Sequence, residues 1–217
     1  MVRLFVAMTL VLATTASAQN AAPSPVAPKV TTAPVYATVR VVLTTKLGAI
    51  TLELEKERAP ITSGNFLRYV DQRRFDGISF YRRSLVPGDP TKGFIQGGTN
   101  DPKRLLPPIA HEPTSKTGLK HVVGAVSVPR WAPGTAQGDF TILLVDAPEM
   151  DANPAASGDN LGYAVFGRVV EGMDVVRKIH AAPTSPIKGQ GAMKGEMLAP
   201  PITILTARRG ETKPKGG

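Results

Sequence analysis

Cysteine is absent from the 217-residue chain. That excludes disulfides, thiolate metal centres, a cysteine nucleophile and lipid attachment through an N-terminal cysteine. Histidine is scarce, at three. His111-Glu112 is the one suggestive pair, but a helical metal site needs a second histidine four residues on, where this chain has Ser115, so no metal and no other cofactor is expected. A serine, histidine and aspartate triad is compatible with the composition, yet no Gly-x-Ser-x-Gly elbow accompanies one. Aromatic residues make up only 6% and do not interleave with the scattered lysines and arginines, so a formal charge of +9 predicts no nucleic-acid partner. The chain has little continuous apolar sequence. Its one such run, Leu4 to Ala13, is shorter than the roughly 20 residues a bilayer core requires, so no stable membrane anchor is expected.

What is present divides the chain into four stretches. Arg3, the apolar run and Ala16-Ser17-Ala18 have the charged, hydrophobic and small-residue character of a secretory signal. Residues 1–18 are therefore read as a signal peptide cleaved near Ala18, leaving a periplasmic or secreted protein. Residues 19–37 form a Pro/Ala-rich linker, with Pro23, Pro25, Pro28 and Pro34 breaking any regular element. Residues 38–207 suffice for one globular domain with its own core, expected to be a monomer. Residues 208–217, with Arg208, Arg209, Lys213 and Lys215 among glycines, read as a flexible basic tail.

Twenty prolines and 21 glycines favour short strands and turns over long helices. Val39, Val41 and Leu43 alternate with Arg40, Val42 and Thr44, and Ile50, Leu52 and Leu54 alternate with Thr51 and Glu53, which predicts a hairpin with one buried face. Pro60 starts a helix whose apolar stripe is Phe66, Tyr69 and Val70. Further strands are predicted over 77–82, 93–98, 122–128, 140–145, 163–170 and 202–205. Met173, Val176 and Ile179 mark a second short helix. The connections 83–92, 101–120 and 146–161 read as turn-rich loops, and 181–198 as a mobile loop. Many short strands separated by turns suggest a closed antiparallel barrel, which leaves no exposed edge.

Two of these strands concentrate the chemistry. Gly77-Ile78-Ser79-Phe80-Tyr81-Arg82 delivers one arginine among apolar and aromatic neighbours. Gly93-Phe94-Ile95-Gln96-Gly97-Gly98 supplies one amide side chain beside a glycine pair that permits close backbone approach. Paired, the two strands would hold Arg82 beside Gln96. In order and spacing, Phe80-Tyr81-Arg82, Phe94 to Gly98 and Val165 to Val176 resemble the cyclophilin-type peptidyl-prolyl isomerases, over about Val39 to Leu205.

The resemblance implies a mainly β fold, a closed eight-stranded antiparallel β-barrel capped by two α-helices. It implies cofactor-free isomerisation of Xaa-Pro bonds in unfolded or proline-containing polypeptides, here exported ones. Arg82 matches the catalytic arginine, and Gln96 the glutamine that bonds substrate and orients that arginine. Phe94 falls on the floor of the proline pocket, and Tyr163 replaces the usual histidine at its wall. Pro129, Thr141 and Phe140 occupy further substrate-binding positions, Phe140 matching a core residue of the family. Gly93 and Thr141 stand where the family usually has pocket phenylalanines, Pro129-Arg130 replaces a small residue and an asparagine, and Asp139 replaces a glutamine. The usual tryptophan and leucine before the Tyr163 strand have no counterpart; Trp131 is close enough in sequence to refill the pocket. These thinned walls leave a second reading, a non-catalytic proline-peptide-binding or chaperone-like module on the same fold.

Overall fold

The structure, a computed structural model, describes residues 35–211. The signal peptide, most of the linker and the end of the basic tail, as read from the sequence, lie outside them. Eight strands, β1 (Val39–Thr45), β2 (Gly48–Leu54), β3 (Ser79–Val86), β4 (Asp89–Gly98), β5 (Ala125–Val128), β6 (Phe140–Leu143), β7 (Ala164–Glu171) and β8 (Met197–Arg209), form a closed antiparallel barrel in the order β1-β2-β7-β5-β6-β4-β3-β8. Helices α1 (Pro60–Asp71) and α3 (Met173–His180) are the two expected; α2 (Thr114–Thr117) adds a single turn within the connection before β5. Among the described residues no helix is long and apolar enough to cross a membrane.

The β1–β2 hairpin pairs Val41 with Leu52 and Leu43 with Ile50, and all four side chains are fully buried, as their alternation requires. Helix α1 packs against β7 and β8, and α3 against β2 and β4. From α1, Phe66 reaches the rings of Phe75, Phe140 and Phe166 at centroid separations of 4.9, 5.3 and 5.3 Å. Such tilted and edge-on pairs suit the ring quadrupoles and join the helix to the barrel interior.

Helix α1 begins with Pro60, whose missing N–H would be unpaired there in any case, and Ala59 offers no capping side chain. The cap comes from a distant carboxylate. Glu112, only 2% exposed, accepts from the N–H groups of Ile61 at 3.1 Å and Thr62 at 2.6 Å, and from the Thr62 hydroxyl at 2.7 Å. The acid of the His111-Glu112 pair is thus occupied with the orphan donors and positive end of a helix.

Two connections and the start of the tail differ from their sequence reading. Residues 83–92 are not a loop: β3 and β4 continue as a hairpin to a tight turn at Pro87-Gly88, because the chain can pair with itself across that turn. The basic tail does not begin at 208. Arg208 and Arg209 lie in β8, opposite Val42 and Val41, and form ion pairs with Asp76 and Asp71 at 2.7 Å. The 181–198 stretch is an anchored excursion, tied by Ser185 N–H to Met197 O, Gly195 N–H to Lys188 O and Ala199 N–H to Pro183 O, with a 3-10 turn at Gly191–Met193.

Candidate active site

Strict alternation along β3 would turn Arg82 to the same side as Phe80, which is fully buried in the core. The strand instead slips register between them. Phe80 lies opposite Gly97 and Arg82 opposite Gln96, so Tyr81 is an extra residue on β3, and pairing with β8 is interrupted at the same place. A bulge of this kind re-aims the side chains that follow it. Phe80 stays inside, and Arg82 emerges beside Gln96 on the outer wall.

There the guanidinium is held on two sides. Nη1 donates to Gln96 Oε1 at 2.9 Å and Nε to Glu196 Oε2 at 2.8 Å, while Nη2 lies in ion-pair contact with the same Glu196 oxygen at 2.7 Å. Its carbon lies 5.1 Å from the centre of the Phe94 ring, a cation–π geometry. Gln96 is only 7% exposed and its amide is fixed at the other end as well: Nε2 donates to Tyr81 OH at 2.6 Å and Asp139 Oδ2 at 3.2 Å. Tyr81 OH in turn donates to Asp139 Oδ2 at 2.7 Å. Burial raises the Asp139 carboxyl above the ordinary carboxylate range against these two bonds, and burial together with the Asp139 charge raises the Tyr81 phenol. Beyond Tyr81 and Asp139 opens a cleft of about 490 Å³ whose far side includes Thr99, Asp101 and Arg104.

The other expected site residues lie on or at the ends of three neighbouring strands, β5, β6 and β7. Thr141 on β6 pairs with Gln96 on one side and Ser127 of β5 on the other. It is 4% exposed, and its hydroxyl donates to the Ser127 carbonyl at 3.3 Å, so it offers no open pocket wall. Phe140, counted among the substrate-binding positions, has no exposed surface; it is packed against Phe66, Phe75 and Phe80 and supports the site from within. Pro129 and Tyr163 flank the paired residues Val128 and Ala164 at adjoining ends of β5 and β7, both half-buried. The Arg130 guanidinium lies 5.7 Å from the Tyr163 ring centre and is bound by Asp159 at 2.7 and 2.8 Å and by the Gly162 carbonyl at 2.9 and 2.6 Å. That pairing holds the Asp159 carboxyl down at about 2. Trp131 does not refill the pocket: it is 91% exposed.

A backbone requirement accounts for Gly93. Its φ is +138°, and a Cβ there would collide with the Ser84 carbonyl, so a phenylalanine at this position is incompatible with the β3–β4 pairing. A second polar group has the spacing of a hydrolase triad. His121 Nδ1 lies 2.7 Å from Asp151 Oδ1, and Nε2 lies 2.9 Å from Ser127 Oγ. Ser127 is wholly buried within β5 and its hydroxyl also reaches the Ala164 carbonyl at 3.2 Å, so no acyl group can approach it and the trio is a brace between β5 and the segment before β7.

Sequence reasoning missed Glu196 and the shared roles of Tyr81 and Asp139. An acid set between a tyrosine-bearing motif and the Phe140 strand was the available signal for Asp139. Glu196, 114 positions from Arg82, carries no local signal.

The family of cyclophilin type peptidyl-prolyl cis-trans isomerases matches residues 40–208. A peptidyl-prolyl cis-trans isomerase of Acinetobacter baylyi is 38% identical over 146 residues, 65% of this chain and 71% of the relative. One from Streptomyces antibioticus is 37% identical over 173 residues, covering 76% of this chain and 95% of the relative. The crystal structure of a Cryptosporidium parvum cyclophilin type isomerase superposes with a TM-score of 0.63 at 18% identity, over 82% of this chain and all of its own. A second structure of that protein, in the presence of the dipeptide Ala-Pro, gives 0.62 at 18% identity, over 80% of this chain and 99% of its own. With the family match and these relatives in agreement with the barrel, the chain belongs to the cyclophilin-type peptidyl-prolyl cis-trans isomerases and is an enzyme that interconverts the cis and trans forms of Xaa-Pro bonds.

Proposed function

We propose that Arg82 is the catalytic group and that Gln96, Phe94, Pro129 and Tyr163 contact the substrate around it. Twisting an amide breaks its resonance, a barrier of about 18–20 kcal/mol, and needs neither nucleophile nor proton transfer. A catalyst must bind the twisted amide better than either planar form. As resonance is lost the prolyl nitrogen becomes a hydrogen-bond acceptor, and a guanidinium, always charged and planar, can donate to it. Such a bond, worth about 1.5–3 kcal/mol, corresponds to about one or two powers of ten in rate. Phe94 offers the proline ring an apolar floor beneath the guanidinium. Thr141 and Phe140 act from behind, as support.

The observation that carries this reading is the restrained guanidinium over Phe94, with N–H groups left over. Two-dimensional NMR exchange on an Ala-Pro peptide tests it, with the chain from Gln19 and its Arg82→Ala variant. Exchange accelerated by the wild type and slowed about 10- to 100-fold in the variant is expected. An equally active variant would remove Arg82 from the mechanism, and peptide binding without acceleration by the wild type would favour the binding-module reading.

The signal-like residues 1–18 and the linker after them support a finer assignment: the clients are proline-containing segments of exported polypeptides, met outside the cytoplasm by a monomeric enzyme. Expression of the full chain in a bacterium should yield a product whose first residue, by mass spectrometry, is Gln19. A cytoplasmic product retaining residues 1–18 would refute the export reading.

A further inference from the structure

A side chain as long as arginine loses about 2 kcal/mol of rotamer freedom when held in one geometry. Gln96 alone meets only one corner of the Arg82 guanidinium. The opposite edge, Nε and Nη2, is met by Glu196, which immediately precedes β8. The mounting of that carboxylate is itself constrained. Its second oxygen, Oε1, accepts from Ser84 Oγ at 3.0 Å, and Ser84 is on the same strand as Arg82, two positions on. The Glu196 carbonyl accepts from Arg83 N–H at 3.0 Å, and the chain around it is held by the Ser185–Met197 and Gly195–Lys188 backbone bonds. The two side chains are 16% and 21% exposed, so water screens the pair only partly.

A guanidinium has five N–H donors. Nε donates to Glu196 and one Nη1 hydrogen to Gln96, and Nη2 lies against the Glu196 carboxylate, which leaves terminal N–H groups on Nη1 and Nη2 for a substrate. We propose that Glu196 is a positioning residue for the isomerisation: it fixes the Nε edge of Arg82 from the β8 side, so that the remaining terminal N–H groups are presented to the prolyl amide as it twists. This rests on the reading of Arg82 as the catalytic group. The opposite role, a latch that occupies Arg82 and competes with substrate, predicts the reverse response to removing the carboxylate.

Peptide exchange rates for wild type, R82A, E196A, E196Q and the R82A/E196A double variant separate these cases. Glu196→Ala should lower kcat/KM about tenfold, mostly in kcat, because the loss is of orientation and not of substrate contact. Glu196→Gln should stay within about threefold of wild type: its amide oxygen can still accept from Nε, and its NH2 can donate to Ser84 Oγ. In the R82A background, adding E196A should change nothing further. The proposal is overturned if E196A is as fast as or faster than wild type, or if it slows R82A by the same factor as it slows wild type. An R82A variant with full activity would instead defeat the reading of Arg82 itself. A measurement on the unaltered protein guards against a misfolded variant: the Arg82 Nε–H resonance should exchange slowly with water, and exchange as fast as in free arginine would overturn the proposal whatever the variants do.

Discussion

Burial pushes the Asp139 carboxyl upward although Tyr81 and Gln96 both donate to its charged form, and one of its oxygens, Oδ1, is buried without a partner. The group costs stability when ionised and serves to orient its neighbours. Its folded-state pKa lies above the unfolded value, so what it contributes to stability is present in acid and lost as pH rises through the folded value. Asp139→Asn keeps an acceptor for Tyr81 and Gln96 without the charge. It should be at least as stable as wild type at pH 7, and any advantage should shrink as the pH is lowered toward 4; thermal melts at both ends of that range would check it. Asp139 was readable as a departure in the sequence. Its role was not, because it depends on which way the Gln96 amide faces, and that is set by contacts from β3 and from the loop before β6.

Helix α1 and the β3 bulge carry the element-scale consequences. Replacing Glu112 by Ala strands two backbone N–H groups and the Thr62 hydroxyl at a buried helix start, at a cost of about 2–4 kcal/mol. Urea denaturation should show it, with Glu112→Gln intermediate because one oxygen remains. The helix itself was legible from Pro60 and the Phe66, Tyr69 and Val70 stripe. Its cap was not, since the capping side chain lies 50 positions away from Thr62. Gly93→Phe, which restores the residue usual in the family, should not build a pocket wall. It should destabilise the β3–β4 hairpin by about 1–3 kcal/mol or more, because φ at +138° and the Ser84 carbonyl leave no room for a Cβ. Loss of stability in the same denaturation assay, without tighter binding of an Ala-Pro peptide, is the expected result.

Across the whole molecule, three histidines and the last strand pair set how stability responds to acid and to truncation. Burial lowers the pKa of His111, His121 and His180 alike. The unfolded chain therefore takes up protons at a higher pH than the folded one, so this contribution is full above the unfolded value of about 6.5 and falls as pH drops below it, by at most about 1.4 kcal/mol per pH unit for each histidine. Urea midpoints measured from pH 8 to 5 should decline across that lower window, and less steeply in a His121→Gln variant. A chain ending at Ala207 removes the pairing of Arg208 and Arg209 with β1 and their bonds to Asp76 and Asp71; it should melt several degrees below a chain ending at Glu211, since about 1 kcal/mol corresponds to 2–4 °C at this size. The β1–β2 hairpin, both main helices, the closed barrel and the family were legible along the chain, because they follow from alternation, helical stripes, proline placement and a motif whose members sit close together. It took the folded barrel to show that Arg82 faces outward, that Glu196 holds its far edge, that Gly93 must stay a glycine and that Phe140 supports the site without touching its surface. Each of these depends on one residue of register or on residues far apart in the chain, and side-chain direction in a sheet reverses with every single-residue slip.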